Sequence, residues 1–584
     1  MNHFVSQILA RMTEDDKRQL ADIWEPTVVS EIDANAWLGL TVMRDGRIRH
    51  YGDYHRKSIF DRGGVYCYRE SCDGGLSWKK HIMPDNGALG ASVYVPFLDR
   101  YVAVFQKPFS TVPTPEQGTW VRFGIDPDDT NPRVVKVSDD TCIEYMPPVV
   151  MRSRNRILFV GLERRPKVHQ SCFYPVLFLS DDGESWQVQH MEECPYFPVK
   201  WPDQGGRWQQ NNRENTITEL SDGSLLMMTR TAMNYHYQTI SRDGGETWEP
   251  FTQSVFHSSG TMPRLETLSD GRVVFLWCNT KMLPELPTAD GIWEDYFTNR
   301  DVNHCAISED DGRTWKGFRE MFLNPIRYSP DFRANGGPTE GDKSVHQFEC
   351  IELPMNKLLV VFGQHEPSRR IILFDLGWLY ESKRKETLLE GFKYLSTQNY
   401  VKSIAGGFKV APSHPLDRVG HCAFNRTSVT LLMPSPENNG TEALHITRSA
   451  DERLVSGIGG AVWNFPAHRK GVVTVRAHIP GKGLRVSLLD YWMNPSDATA
   501  EYFANYSVVL RGDMQRGELF SEFVLDYDLD RGTVILTNGD YLHYEKKIEG
   551  EAPNGLCYLH MQSAATEADP VGAYVSGMKF EGKN

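Results

Sequence analysis

The chain has 584 residues, room for two or more domains, and its formal charge of −13 argues against nucleic acid as a partner. With 40% apolar residues, 48 Gly, 33 Pro and 14 Trp, it has the composition of a turn-rich globular protein, not of a fibrous or disordered one. No apolar stretch is long enough to span a membrane as a helix, and the 10 cysteines show neither a C-x-x-C nor a ligand cluster, so no membrane, metal or cofactor is expected.

Residues 1–30 read as an amphipathic helix and lead-in. A short apolar stretch is followed by Glu14, Asp15, Asp16, Lys17 and Arg18, unlike a secretory signal with its long apolar core. A cytoplasmic protein, or a mature secreted or periplasmic form without its leader, is expected.

From 31 to 380 one unit recurs. An apolar run, a tight turn and a second apolar run appear at Asp45-Gly46, Asp99-Arg100, Arg154-Asn155, Asp222-Gly223, Asp270-Gly271 and Met355-Asn356. Asp-Gly between apolar runs is a strong hairpin signal. A second pattern, S-x-D-x-G-x-[S/T]-W, occupies 71–78, 241–248 and 308–315, with a weaker copy at 179–186 that has Leu179 where the first Ser belongs. Its Asp and Ser/Thr side chains suit a turn that bonds its own amides, and its Gly permits positive φ. Its Trp covers the hairpin beneath. Asp73, Asp181, Asp243 and Asp310 are therefore expected to be structural. Six turns imply six four-stranded blades around an axis. The uneven spacing, longest between Asp270 and Met355, leaves room for loops that wall a site.

The charged stretch 381–395 reads as a short helix or linker. Beyond it, alternating runs at 472–479, 484–489 and 533–537 predict an all-β domain over 396–584, a sandwich of the lectin or jelly-roll kind. That domain either binds sugar through aromatics such as Trp492 and Tyr502 or braces the propeller.

The four boxes resemble the Asp-boxes, or BNR repeats, of the sialidase (neuraminidase) superfamily, and the chain is similar to a divergent, non-standard member of it. The resemblance implies an all-β fold, a six-bladed β-propeller followed by the β-sandwich, with the boxes away from the active site. It also implies a site in which three arginines grip a carboxylate beside a Tyr/Glu pair and an Asp acid/base. Arginine suits the grip because its planar fork donates two hydrogen bonds to one carboxylate. Segment 214–230 resembles the family segment in which the Glu opens one strand and the second arginine ends the next, here Glu214 and Arg230. Arg300, eight residues before Ser308, resembles the third arginine. In the loop 51–64, Asp61 resembles the acid/base, with Asp53 and His55 as rivals. Two hallmarks are absent. Asn35-Ala36-Trp37-Leu38 stands where the first arginine belongs, and Gln347, beside His346, stands where the Tyr nucleophile belongs. Neither Gln347 nor His346 can act as an aryl oxide, and Tyr328 lies in the long preceding insertion.

These residues imply an exo-acting glycoside hydrolase that removes a terminal acidic sugar from an oligosaccharide or polysaccharide. Glu214 and Asp61 are the expected acid/base groups around an oxocarbenium-like transition state. Arg230, Arg300 and Arg213 are the expected binding groups, joined by Tyr235 and Gln347. Both an inverting course and retention with Glu214 as nucleophile stay open. A carboxyl separation of about 5 Å goes with retention and one of roughly 6.5–9.5 Å with inversion. Two alternatives remain on the same propeller. One is a uronate-directed lyase or rhamnose–glucuronate-cleaving enzyme using His55, His236 or His346; the other is a non-catalytic glycan-binding protein.

Overall fold

The computed structural model describes residues 3–32, 39–53, 66–83, 89–107, 117–139, 147–164, 173–192, 194, 212–231, 233–281, 302–323, 345–363, 368–387, 395–401, 425–454 and 456–583. Among them, six four-stranded antiparallel sheets follow one another along the first two thirds of the chain. Every turn marked in the sequence joins the first two strands of one sheet, as between Gly39–Val42 and Ile48–Asp53 or between Arg264–Thr267 and Val273–Trp277. The turns use the conformations their residues allow: Gly46, Gly223 and Gly271 have φ of +83°, +82° and +91°. The first strand of the fourth sheet touches those of the third and fifth, and the sixth touches those of the fifth and the first. The first strands are therefore innermost and the sheets are blades around an axis.

The N-terminal segment departs from the single helix and lead-in that the sequence suggests. It forms two helices, α1 (His3–Arg11) and α2 (Glu14–Asp22). A capping box separates them: the Asp16 amide donates to Thr13 Oγ1 at 3.2 Å, and the Thr13 amide donates to Asp16 Oδ2 at 2.8 Å. The next residues, Thr27–Glu31, are the fourth strand of the sixth blade, pairing with Arg370–Asp375. The propeller thus begins at Thr27, and its two ends meet in one sheet. Helix α1 lies against the face that carries the hairpin turns. A Cβ on Gly46 would come within 2.3 Å of the Gln7 carbonyl oxygen, and Ile8 and Met12 pack with Ile48, Leu353 and Leu373.

The last third of the chain is a sandwich of an eight-stranded and a five-stranded sheet. Val473, Val475, Phe523, Leu525, Val575 and Phe580 of one sheet face Trp463, Phe465, Val486, Leu488, Leu559 and Met561 of the other in one core. Within 381–395 the structure places a strand, Lys383–Thr387, instead of a helix; it pairs with Asp569–Gly582. The sandwich is fused to the fifth blade. Phe275, Trp277, Trp315 and Phe318 share a buried cluster with Tyr491, Trp492 and Tyr558. Trp492 is fully buried there and cannot present its ring to a sugar, whereas Tyr502 is 62% exposed. Cys67, Cys194, Cys278, Cys305, Cys350 and Cys557 are buried cysteines outside any disulfide, and Cys72 is an exposed one.

Candidate functional site

The boxes identify one face of the ring. In the first, the Ser71 hydroxyl donates to Asp73 Oδ1 at 2.7 Å, the Ser77 amide donates to the same oxygen at 3.1 Å, and Trp78 Nε1 donates to the Gly75 carbonyl at 2.9 Å. The same bonds recur around Asp243 and Asp310, where Trp248 and Trp315 donate to Gly245 and Gly312. The weaker copy slips by one residue. Its acceptor is Asp182, which takes the Glu184 and Ser185 amides at 2.8 Å, while Ser180 plays the part of the missing first serine. Asp181 instead binds Arg156 through both oxygens, at 2.6 and 2.7 Å. Arg156 also reaches Glu246, tying the third blade to the fourth.

The boxes and the inner hairpins share this face with α1. The innermost strands therefore begin at the opposite mouth of the axial channel, and there the fourth blade places Glu214. A bulge between Arg213 and Thr216 interrupts the pairing of Arg213–Glu219 with Leu225–Arg230. Glu214 and the preceding Asn212 have φ of +51° and +63°, strained values for residues with a Cβ. Asn212 accepts the Cys194 amide at 3.1 Å, and its carbonyl takes the Asn215 side-chain amide at 2.8 Å, which holds the bulge. The result is a buried ion pair: Arg230 Nη1 lies 2.6 Å from Glu214 Oε2, with the two side chains only 6% and 7% exposed. The sequence separation of 16 becomes a direct contact because hairpin pairing returns Arg230 beside Arg213.

Tyr235 begins the next strand of this blade, two strands outward from Glu214. Its carbonyl accepts the Thr231 hydroxyl at 2.5 Å. Its ring lies 4.8 Å from that of His257, which bonds Asp490 of the sandwich at 2.9 Å. His236 points the other way. It is fully buried with its ring edge-on to Phe275, and burial lowers its pKa to about 3. His236 packs in the core of the blade. His346 and Gln347 lead into the innermost strand of the sixth blade, with His346 buried and Gln347 at φ +69°.

Two side chains at this mouth were missed in the sequence. Glu349 is the first residue of the innermost strand Glu349–Leu353, and Arg264 is the first residue of Arg264–Thr267. Arg264 Nη2 lies 3.0 Å from Glu266 Oε2 and 3.7 Å from Glu349 Oε2. Burial pushes the Glu349 carboxyl up to about 7, with Arg264 opposing and Glu266 reinforcing the shift. The available signal was positional: Glu214, Arg264 and Glu349 each stand at the start of an innermost strand, where an apolar residue is the default. Asp61, His55, Arg300 and Tyr328 lie outside the described residues, as do the side chains of Asp53 and Arg213. Among the described residues, no group of three or more His, Cys, Asp or Glu is arranged to hold a metal ion.

A comparison with curated proteins gives no match. Among solved structures, the chain is similar to Trypanosoma rangeli sialidase in complex with 2,3-difluorosialic acid, at 12% identity over 96% of this chain and 94% of that one, with a TM-score of 0.35. It is similar to a protein of unknown function from Dyadobacter fermentans, at 16% identity over 60% and 98% of the two chains, with a TM-score of 0.36. NanB sialidase from Streptococcus pneumoniae gives 12% identity over 60% and 71%, with a TM-score of 0.39. Residues 145–338 match the family model of the BNR repeat-like domain. That span holds three of the four boxes and the Glu214–Arg230 hairpin. The bond pattern inside each box and the six four-stranded blades accord with that match, a BNR-repeat β-propeller fold.

Proposed function

We propose that the protein is a glycoside hydrolase that removes a terminal acidic sugar from a glycan. The observation that supports this reading is the buried Glu214–Arg230 ion pair on a strained bulge at the channel mouth. A folded chain retains strain and a buried ion pair together where a site needs them, since each costs stability on its own. In this reading the Glu214 carboxylate assists attack at the anomeric carbon, and Arg230 both orients Glu214 and pairs with the substrate carboxylate. Arg300 and Arg213 extend the grip, Tyr235 and Gln347 border the sugar, and Asp61, with His55 and Asp53 in the same loop, supplies protons. His346 completes the polar surround.

A panel of aryl glycosides and acidic oligosaccharides tests the reading. Glu214→Ala abolishes turnover with the fold intact, and Arg230→Ala chiefly raises KM for acidic substrates. Normal processing by both variants removes the proposal. An unsaturated uronate among the products points to the lyase chemistry instead, and binding without turnover points to a glycan-binding propeller.

A further inference from the structure

Glu214, Arg264 and Glu349 belong to three successive blades, and cross-strand bonds fix their relative height. The Leu265 amide donates to Thr216 Oγ1 at 3.1 Å, and the Thr267 amide donates to Thr218 Oγ1 at 3.0 Å. Arg264 is thereby level with Asn215, next to Glu214. The 3.7 Å approach of Arg264 to Glu349 then brings the sixth blade's first residue to the same ring of side chains. At the far end of these strands, Glu352 accepts the Ser269 amide at 2.7 Å, so the fifth and sixth blades are pinned at both ends.

Resting on the hydrolase reading above, we propose that Glu349, in the place given there to Asp61, is the proton donor to the leaving group, with Glu214 as the carboxylate that works with it. The two carboxyls sit in contrasting surroundings. Glu214 is the anion of a 2.6 Å ion pair, whereas Glu349 is 6% exposed and has only a 3.7 Å approach to Arg264, whose shorter contact goes to Glu266. Among the described residues, the charged and titratable groups facing Glu349 are Arg264 and Glu266 from the fifth blade and Cys350 from its own strand. Burial holds the Glu349 proton up to about pH 7, the condition a general acid needs at neutral pH. A carboxyl that keeps its proton beside one held as the anion of an ion pair has the division of labour that glycoside hydrolysis requires.

In the step, the Glu349 proton passes to the glycosidic oxygen as the anomeric carbon–oxygen bond breaks. The electron pair of that bond leaves with the aglycone, which departs as an alcohol. Water adds to the anomeric carbon and gives its proton to Glu214. Solvent then reprotonates Glu349 and deprotonates Glu214, so the sum is hydrolysis with no other reactant. Glu349 also stands two residues beyond Gln347, so an acid at this mouth is compatible with the missing tyrosine.

The test varies the leaving group. Glu349→Gln, checked for folding by circular dichroism, loses about 100-fold or more in kcat/KM on alkyl and phenyl glycosides. On 2,4-dinitrophenyl glycosides, whose aglycone leaves unprotonated, the same variant stays within a few fold of wild type. Wild-type enzyme alone supplies a second measurement: kcat/KM on the alkyl substrate falls above about pH 7, and on the dinitrophenyl substrate that basic limb is missing. Equal losses on both leaving groups, identical pH profiles, or a leaving-group-dependent loss that follows Asp61→Asn and not Glu349→Gln each overturn the assignment. If Glu214→Gln is inactive while Glu349→Gln behaves as wild type, this inference alone fails. A wild-type enzyme inert on every substrate defeats the hydrolase reading along with it.

Discussion

His304 of the fifth blade donates from Nε2 to the Tyr558 hydroxyl of the sandwich at 2.5 Å, and the Tyr558 hydroxyl donates to Glu320 Oε1 at 2.6 Å. The direction follows from the other ring nitrogen, since His304 Nδ1 accepts the Asn279 amide at 3.0 Å. This buried chain of donors crosses from one domain to the other and back.

The consequence is a single cooperative unit. Tyr558→Phe leaves His304 and Glu320 short of a partner and costs about 1–3 kcal/mol. Trp492→Ala opens a cavity in the shared cluster and costs about 3–5 kcal/mol. Calorimetry of the intact chain is expected to show one unfolding transition; two well-separated transitions contradict the fused core.

Acid lowers stability steeply. Burial holds His50, His236 and His304 down at about 3 and His560 at about 4. Their unfolded values lie near 6.5, so between these limits the unfolded chain binds protons that the native chain refuses. Stability is full above about pH 6.5 and falls with pH below it, by roughly 2 kcal/mol per histidine at pH 5. Urea midpoints at pH 7 and pH 5 measure the drop, and equal midpoints refute it.

Glu349 has the opposite sign. Its carboxyl is raised to about 7 from an ordinary value of 4.5, so between these pH values the native chain holds a proton that the unfolded chain releases. The stability tied to that proton is present below about pH 4.5 and is lost as pH rises through about 7, on the order of 3 kcal/mol. Glu349→Gln removes the dependence. The variant should gain on wild type between pH 5 and pH 8, and a parallel pair of stability curves tells against the shift.

The box turns separate stability from activity. Asp243→Ala strips the acceptor from Ser241 and from the Thr247 amide and hydroxyl, at a cost of about 1–3 kcal/mol. Because the box lies at the far end of the axis from Glu214, the melting temperature falls while kcat/KM holds. A comparable loss of activity at full stability would mean the box reaches the site.

Local turn chemistry is why so much of the propeller was legible. Asp45-Gly46 or Asp270-Gly271 announces its hairpin without help from distant residues, and each box satisfies its own amides. Elements defined by partners far along the chain were not legible. Thr27–Glu31 carries no hairpin signal because its neighbour, Arg370–Asp375, arrives more than 300 residues later. Lys383–Thr387 looks helical from its charges, yet it is a strand because Asp569–Gly582 offers it an edge. The box at Asp181 slipped because Ser180 and Asp182 can rebuild the same turn one position along. At the mouth, Glu214 and Arg230 were visible through a resemblance. Arg264 and Glu349 become a pair only when two blades close on one another. Trp492 looked like a sugar platform because its sequence gives no sign of the aromatic cluster that covers it.

The pairing of Thr27–Glu31 with Arg370–Asp375 has a temporal side. The ribosome makes the outermost strand of the last blade before any other part of the ring, and that strand must wait for roughly 340 residues of synthesis before its hydrogen-bonding neighbour exists. Until then the growing circle is open, with a bare edge at each end. Its latch fastens only when the beginning of the polypeptide is threaded against a segment made far later.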